Sequence, residues 1–199
     1  NIEVRSNEGA PRYAGILITD LEIKESPDWM KNRLEAIGVK TINNVVDTTN
    51  YIMHEMGQPL HAFDIRNIEG NGIVVENKPE GTKFVTLDGE ERTLRGEDLM
   101  ICDAEGTPLC MAGVYGGLNT GVKEDTRTIF LESAHFDPKQ IRNTSMSHNL
   151  RTDAAKIFEK GSDPSIVMEA LKRAAYLLNE TAGARLASES IDIYPSKVR

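Results

Sequence analysis

The chain has 199 residues, 39% of them hydrophobic, which is enough for one substantial core or for two small modules that share one. We expect one compact domain. The net charge of −8 at pH 7 argues against a broad basic surface for a phosphate backbone, because such surfaces depend on clustered lysine and arginine. No apolar run approaches the ~20 residues of a membrane span, and the first residues lack the apolar core of a secretory signal. A cytoplasmic protein without membrane contact is therefore expected.

The first part of the chain predicts β structure followed by a helix. Residues 12–23 have the β-branched and apolar content of a strand pair. Ser26 suits a helix N-cap, Pro27 the first helical position and Gly38 a C-terminal stop. The helical spacing predicts a shared buried side formed by Trp29, Leu34 and Ile37.

A second helix is predicted over residues 44–56, where apolar side chains recur at helical spacing. Gly57 is expected to end it. Gln58 and Pro59 then predict a loop, and this loop is expected to carry His61.

The middle of the chain predicts short strands joined by tight turns. Asp88-Gly89 lies between two short apolar runs, which is a strong hairpin signal. A second turn, at Glu105-Gly106, is flanked by Cys102 and Cys110, so a disulfide across a hairpin is conceivable. Buried strand cysteines in a reducing compartment are usually inert thiols, and we expect that state here. The glycine-rich residues 108–122 predict close backbone approach instead of a regular strand.

The last part of the chain mixes strands and helices. Residues 127–137 predict a strand in which Glu132 lies beside apolar neighbours. A short helix is expected after Thr152, and a long amphipathic helix over residues 163–181. Alternating apolar and polar side chains predict a final strand over residues 184–195. Because helices and strands alternate without a βαβ rhythm, the expected fold class is α+β.

Several sequence blocks follow one another along the chain: PRYAG, NNVVDTTNYIMHEMGQPLHAFD, MAGVYGG, IFLESAHFDP and LRTDAAKIFEKGSDP. In this order they resemble the signature blocks of the central editing domain of bacterial phenylalanyl-tRNA synthetase β subunits. The resemblance implies a three-layer domain in which a β-sandwich of unusual topology packs with helices. It also implies that residues 1–199 form a single editing domain that belongs to a longer β subunit.

The resemblance implies hydrolysis of the ester that joins a mischarged tyrosine to phenylalanine tRNA. A synthetic pocket for phenylalanine cannot strongly reject an analogue that only adds a hydroxyl, so a second, hydrolytic site restores discrimination. The implied partners are the 3′ end of phenylalanine tRNA and the synthetase α subunit, which is reached through the rest of the β subunit. No cofactor is expected in this domain, because ATP and Mg²⁺ are used elsewhere in the full synthetase.

The same resemblance assigns catalytic roles to Glu132 and His61. An ionised Glu132 would accept a hydrogen bond from the tyrosine phenol, and His61 would orient the substrate or take a proton from water. The matching substrate-binding positions are Thr49, Asn50, Gly113, Gly116, Glu132, Thr152 and Ala154. Without the resemblance, these residues read as an ordinary strand carboxylate, a loop histidine, polar helix residues and turn glycines. No metal site is predicted, because the histidines and cysteines lack zinc-ligand spacing.

Two other functions stay open on the sequence. The domain could be a non-catalytic scaffold or a tRNA-binding module, which the acidic balance and the few arginines in residues 145–161 allow. A freestanding deacylase would require a native chain that ends near Arg199. Asn149 occupies a position where glycine is common in the resembling family, and asparagine tolerates the positive φ that such a turn needs.

Overall fold

The computed structural model of the protein describes residues 1–197. The strands, in chain order, are β1 (Ile2–Val4), β2 (Arg12–Thr19), β3 (Leu60–Asp64), β4 (Ile73–Asn77), β5 (Lys83–Val85), β6 (Glu91–Thr93), β7 (Leu99–Asp103), β8 (Pro108–Met111), β9 (Tyr115–Gly116), β10 (Ile129–His135), β11 (Arg185–Leu186) and β12 (Ile191–Ile193). The helices are α1 (Asp28–Ala36), α2 (Asn44–Met56), α3 (Pro138–Ser147), α4 (Asp153–Phe158) and α5 (Val167–Ala182). Within residues 1–197, no helix combines the length and apolar character needed to cross a membrane.

The strands form two main sheets and one small hairpin. In the central sheet the order is β11, β2, β10 and β3, with β12 also paired to β2, and every pair is antiparallel. In the second sheet the order is β1, β4, β7, β8 and β9. Its β1–β4 pair is parallel and its other pairs are antiparallel. The separate hairpin joins β5 and β6 around the predicted Asp88-Gly89 turn.

The central sheet is buried on both faces. On one face, Ile16 and Leu131 pack with apolar residues of α1, α2 and α5. On the other face, Tyr13 and Phe63 pack with apolar residues of the second sheet. Successive side chains of a strand point to opposite faces, so each strand contributes to both cores. Helices, central sheet and second sheet therefore form three layers, and the expected α+β class with a β-sandwich is confirmed.

Helix α2 has the bounds that the sequence predicts. The Asn43 side chain caps it by accepting hydrogen bonds from the backbone N–H groups of Val45 and Val46. Gly57 ends it in the left-handed conformation, with φ of 68°.

Asn149 also adopts the expected positive φ, at 53°.

The first helix differs from the prediction in its cap and in its buried side. Ser26 does not cap α1, because its hydroxyl donates to Asp47 Oδ2 at 2.6 Å and Pro27 holds the N-cap position. Met30 and Leu34, one turn apart, are the buried residues of α1. Trp29 is 40% exposed and Ile37 is 56% exposed, because both lie outside that narrow stripe.

Three further elements differ from the sequence prediction. Residues 12–23 give one strand, β2, because Asp20 takes a positive φ of 59° and ends it. The expected strand over residues 184–195 is split into β11 and β12, which both pair with β2. Helix α3 was not expected, although Asp137 caps it and Pro138 begins it in the usual way.

The two cysteines are free and buried, as expected of inert thiols. Cys110 pairs with Ile101 across β7 and β8, so Cys102 points to the opposite face of the sheet. Burial raises the pKa of Cys102 to about 12 and also raises that of Cys110. Neither thiol ionises near neutral pH, and the disulfide that the hairpin made conceivable does not form.

Candidate active site

Glu132 and His61 lie side by side in the central sheet. The antiparallel pairing of β10 with β3 sets Glu132 directly opposite His61. Directly opposed residues of neighbouring strands project to the same face. Both side chains therefore point into the layer between the two sheets, as their neighbours Phe130 and Phe63 do.

His61 lies on a strand, which corrects the expectation that it lies on a loop. Gly57 and Pro59 do end α2, but the chain enters β3 at Leu60, directly after Pro59. Within this short turn, the Gln58 side chain donates a hydrogen bond to the backbone oxygen of Ala134 at 2.7 Å. This bond ties the turn to β10. The ladder with β10 then fixes the direction in which His61 points.

Glu132 is a buried carboxyl group in an apolar layer, with 5% of its surface exposed. Burial raises its pKa to about 7, and a hydrogen bond from the Tyr13 hydroxyl opposes that rise. The Tyr13 hydroxyl donates to Glu132 Oε2 at 2.5 Å. Glu132 is thus poised between its charged and neutral forms at neutral pH.

The His61 imidazole is held neutral and is partly unpaired. Burial lowers its pKa to about 4, so the ring is uncharged at neutral pH. Nε2 is buried and has no hydrogen-bond partner among residues 1–197. Buried polar atoms nearly always have a partner, so this nitrogen can accept or donate one hydrogen bond to a ligand or to water. The ring packs edge-on against Phe63, with centroids 4.4 Å apart.

Gly116 lies against His61, whereas Gly113 does not. A methyl group added at Gly116 would lie 3.4 Å from His61 Cε1, so the bare backbone of β9 forms a wall beside the ring. Gly113 has a φ of 67°, and a methyl group there would lie 2.9 Å from both Phe136 and Phe158. This glycine permits a tight turn over the core, and its contact with a substrate stays a prediction.

Thr152 connects helix α4 to the turn between β8 and β9. Its hydroxyl donates to the backbone oxygen of Val114 at 2.8 Å and accepts from the backbone N–H of Ala155 at 3.1 Å. Thr152 is thus the N-cap of α4. Its hydrogen-bond partner, Val114, lies two residues before Gly116 in the chain. Ala154 is half-buried in the first turn of α4. Thr152 therefore contacts the turn that precedes Gly116, whereas a contact of Ala154 with a substrate stays a prediction.

Thr49 and Asn50 lie in the middle of α2. The Thr49 hydroxyl donates to the backbone oxygen of Val46 at 2.8 Å. Asn50 is half-buried. Among residues 1–197, neither side chain hydrogen-bonds to His61 or Glu132, and the inward face of α2 packs on the other side of the central sheet. Their part in substrate binding stays a prediction.

Tyr13 and Cys110 are site neighbours that sequence reasoning missed. Tyr13 is fully buried, and Cys110 has 5% of its surface exposed. The Glu132 carboxylate contributes to the raised pKa of both groups, after burial itself, which places both close to it. A signal for Tyr13 was present, because a tyrosine inside a buried strand needs a partner for its hydroxyl.

Two clefts are lined by other residues. One of about 870 Å³ opens between β2, β11 and α5, and includes Ile16, Leu171 and Leu186. Another of about 260 Å³ includes Gly15, Ile73 and Phe130. Neither is lined by His61 or Glu132. Size alone does not identify a site, whereas a buried carboxyl group beside an unpaired imidazole nitrogen is costly and points to chemistry.

Comparison with known proteins gives matches over most of the chain. Residues 9–183 match the family model of the B3/4 domain. The chain is 50% identical over 198 residues to the phenylalanine–tRNA ligase β subunit of Porphyromonas gingivalis, covering all of this chain and 24% of that protein. It is 45% identical over 198 residues to the corresponding subunit of Bdellovibrio bacteriovorus, again covering 24% of that protein. The chain thus spans about a quarter of the length of these relatives.

A solved structure with the same fold supports the match. It is an N-terminal fragment of the phenylalanyl-tRNA synthetase β subunit from Pyrococcus horikoshii, with a TM-score of 0.61 and 17% identity. The superposition covers 96% of this chain and 54% of that chain. At this identity the likeness concerns the fold alone. The family match over residues 9–183 and the similarity to β subunits along the whole of this chain show that the chain belongs to the B3/4 domain family.

Proposed function

We propose that this domain hydrolyses the ester of tyrosine mischarged onto phenylalanine tRNA, as the editing part of a phenylalanine–tRNA ligase that serves protein biosynthesis. The observation that carries the proposal is the pairing of buried Glu132 with buried His61 on one face of the central sheet. The similarity to phenylalanine–tRNA ligase β subunits along the whole chain supports this choice of reaction.

Glu132 supplies the discrimination between tyrosine and phenylalanine. Its carboxylate has two oxygens, and Tyr13 uses one of them. A substrate phenol can donate to the other, whereas a phenylalanine ring would leave a buried carboxylate without that bond. Sites built to bond a hydroxyl reject the analogue that lacks it by as much as about 10⁴-fold. Correctly charged tRNA is thereby spared.

His61 contributes to the hydrolysis itself. Water attacks the ester carbonyl, its proton passes to a base, and the ribose oxygen leaves with a proton. Neutral His61 can accept a hydrogen bond from this water through Nε2, because burial keeps its pKa near 4. Its role as an acceptor therefore persists throughout the physiological pH range.

The partners follow from the reaction. The domain takes the 3′ end of phenylalanine tRNA, and it joins the synthetase α subunit through the rest of the β subunit. Its net charge of −8 means that other parts of the synthetase supply most of the grip on the tRNA backbone. No cofactor is needed here, because ATP and Mg²⁺ serve the synthetic reaction elsewhere, and the complex works in the cytoplasm.

One observation favours a second candidate, a non-catalytic scaffold or tRNA-binding module. Glu132 is almost fully buried, and its carboxylate already has a protein donor in Tyr13. On this alternative, the Glu132–Tyr13 pair only stabilises the sandwich.

The test measures deacylation of tyrosine-charged phenylalanine tRNA by the assembled synthetase that contains this domain. We expect Glu132→Ala and His61→Ala each to slow deacylation at least tenfold while aminoacylation is kept. His135→Ala is the matched control, because His135 is a buried histidine on β10 whose side chain faces away from Glu132. Deacylation that both site variants leave unchanged would support the scaffold and refute the editing proposal.

A further inference from the structure

The Tyr13 hydroxyl and the Glu132 carboxylate form an isolated polar pair inside the sandwich. In the pairing of β2 with β10, Glu132 lies opposite Gly15, and Tyr13 is the next residue of β2 on that face. The hydroxyl spans this diagonal and donates to Oε2 at 2.5 Å. Among residues 1–197, Tyr13 is the only hydrogen-bond donor to the Glu132 carboxylate.

The pair determines what the rest of the carboxylate can do. The Tyr13 hydroxyl has one hydrogen, which it donates to Oε2 of Glu132. Oε1 therefore stays available as an acceptor. Among residues 1–197, no other neighbouring group donates a hydrogen bond to Glu132. His61 faces Glu132 from β3 as a neutral ring, and Cys110 approaches from β8 as a protonated thiol. Removal of the hydroxyl would thus leave the carboxylate without the hydrogen bond that fixes Oε2.

We propose that Tyr13 is a positioning residue for substrate selection, whose hydroxyl fixes one oxygen of Glu132 so that the other accepts the phenol of a mischarged tyrosine. This inference rests on the editing function proposed above. It makes discrimination depend on two phenols that share one carboxylate, one from the protein and one from the substrate.

Loss of the Tyr13 hydroxyl would change the pH dependence of substrate selection in one definite direction. The Tyr13 bond stabilises the charged form of Glu132 and therefore holds its pKa lower than burial alone would. Loss of the hydroxyl should raise the pH at which tyrosine preference appears by roughly one unit. A hydrogen bond to a charged group shifts the pKa of that group by about this amount. A residue with a purely structural role would change stability without moving this midpoint.

The experiment compares Tyr13→Phe with Tyr51→Phe in the assembled synthetase. Tyr51 is the matched control, because it is also buried and its hydroxyl also has a charged partner, Arg33, at 2.7 Å. The readout is the ratio of deacylation rates for tyrosine- and phenylalanine-charged tRNA between pH 5.5 and 8.5. We expect Tyr13→Phe to lower this ratio about tenfold at pH 7 and to raise its midpoint, and Tyr51→Phe to change neither.

Further variants separate the possible outcomes. In a Glu132→Gln background, Tyr13→Phe should have no additional effect on the ratio, because the two residues act as one unit. If Tyr13→Phe does not fold, 3-fluorotyrosine at position 13, a stronger donor, should lower the midpoint. A midpoint and ratio that match those of the Tyr51→Phe control, or a midpoint that fluorination leaves unchanged, would overturn the inference. Wild-type synthetase that fails to deacylate tyrosine-charged tRNA would instead refute the editing function itself.

Discussion

At the scale of single residues, the site is defined by ionisable groups placed where water cannot solvate them. Glu132 and His61 are both buried. Burial raises the pKa of Glu132 and lowers the pKa of His61, and both shifts favour the neutral form. An apolar residue at either position would fit this layer at lower cost. Burial of this kind therefore favours a functional reason for both residues.

The pH dependence of stability should reveal the cost of burying Glu132. Its folded pKa of about 7 lies above the ordinary value of 4.5, so the unfolded chain loses this proton first as pH rises. Below pH 4.5, burial of Glu132 does not lower the free energy of unfolding. Between pH 4.5 and 7 the loss of unfolding free energy grows, and above pH 7 it stays constant at about 3 kcal/mol at most. Glu132→Gln should thus gain stability relative to wild type between pH 4.5 and 8 in urea unfolding. The exposed Glu80→Gln control should show no such gain, and an equal gain in both variants would contradict the assignment.

Gly113→Ala tests a different kind of residue. The methyl group would meet Phe136 and Phe158 at 2.9 Å while the backbone keeps a φ of 67°, so we expect a loss of about 2–4 kcal/mol in unfolding free energy. Gly121→Ala is the control, because a methyl group at Gly121 has no atom within 4 Å among the described residues. Equal stabilities for the two variants would show that the turn at Gly113 tolerates a side chain.

At the scale of elements, strand pairing assembles the site from segments far apart in sequence. Strand β10 lies between β2 and β3, and its two registers bring Tyr13 and His61 to opposite sides of Glu132. Helix α2 and the Gln58 anchor set where β3 begins. A shift of β3 by one residue would turn His61 away from Glu132 and onto the helix side.

The N-cap of α2 is therefore expected to matter for the site as well as for stability. Asn43→Ala removes the acceptor for the N–H groups of Val45 and Val46, and we expect a loss of about 1 kcal/mol in thermal or urea unfolding. Asn43→Asp keeps an acceptor at the positive end of the helix and should remain close to wild type. A loss as large for Asn43→Asp would show that the cap is not the cause.

Local signals explain which elements could be predicted from the sequence. Helix α2 has a capping asparagine, a helical apolar pattern and a terminal glycine, and the sequence predicts its bounds. His61 was expected on a loop because Gly57 and Pro59 mark a turn, yet the ladder that begins at Leu60 depends on β10, about seventy residues away. The pairing of Tyr13 with Glu132 is missed for the same reason. Side-chain type indicated Glu132 and His61, but only tertiary pairing shows what faces them.

At the scale of the whole molecule, the two sheets and the helix layer serve different ends. The helix side of the central sheet is an apolar core, and the sandwich side holds the polar pair and its neighbours. The pairing of β10 with β3 fixes the position of Glu132 relative to His61, which suits the proposed discrimination by a single hydroxyl group. The chain spans about a quarter of the length of these relatives.

The most direct measurement is a crystal structure of the synthetase containing this domain, determined separately with tyrosine and with phenylalanine at equal concentration. We predict tyrosine between the two sheets, with its phenol oxygen within hydrogen-bond distance of Glu132 Oε1 and its carboxyl end toward His61. Phenylalanine should leave that position empty at the same concentration. Tyrosine bound only elsewhere in this domain, or phenylalanine bound equally well beside Glu132, would contradict the assignment of this pair as the selective site.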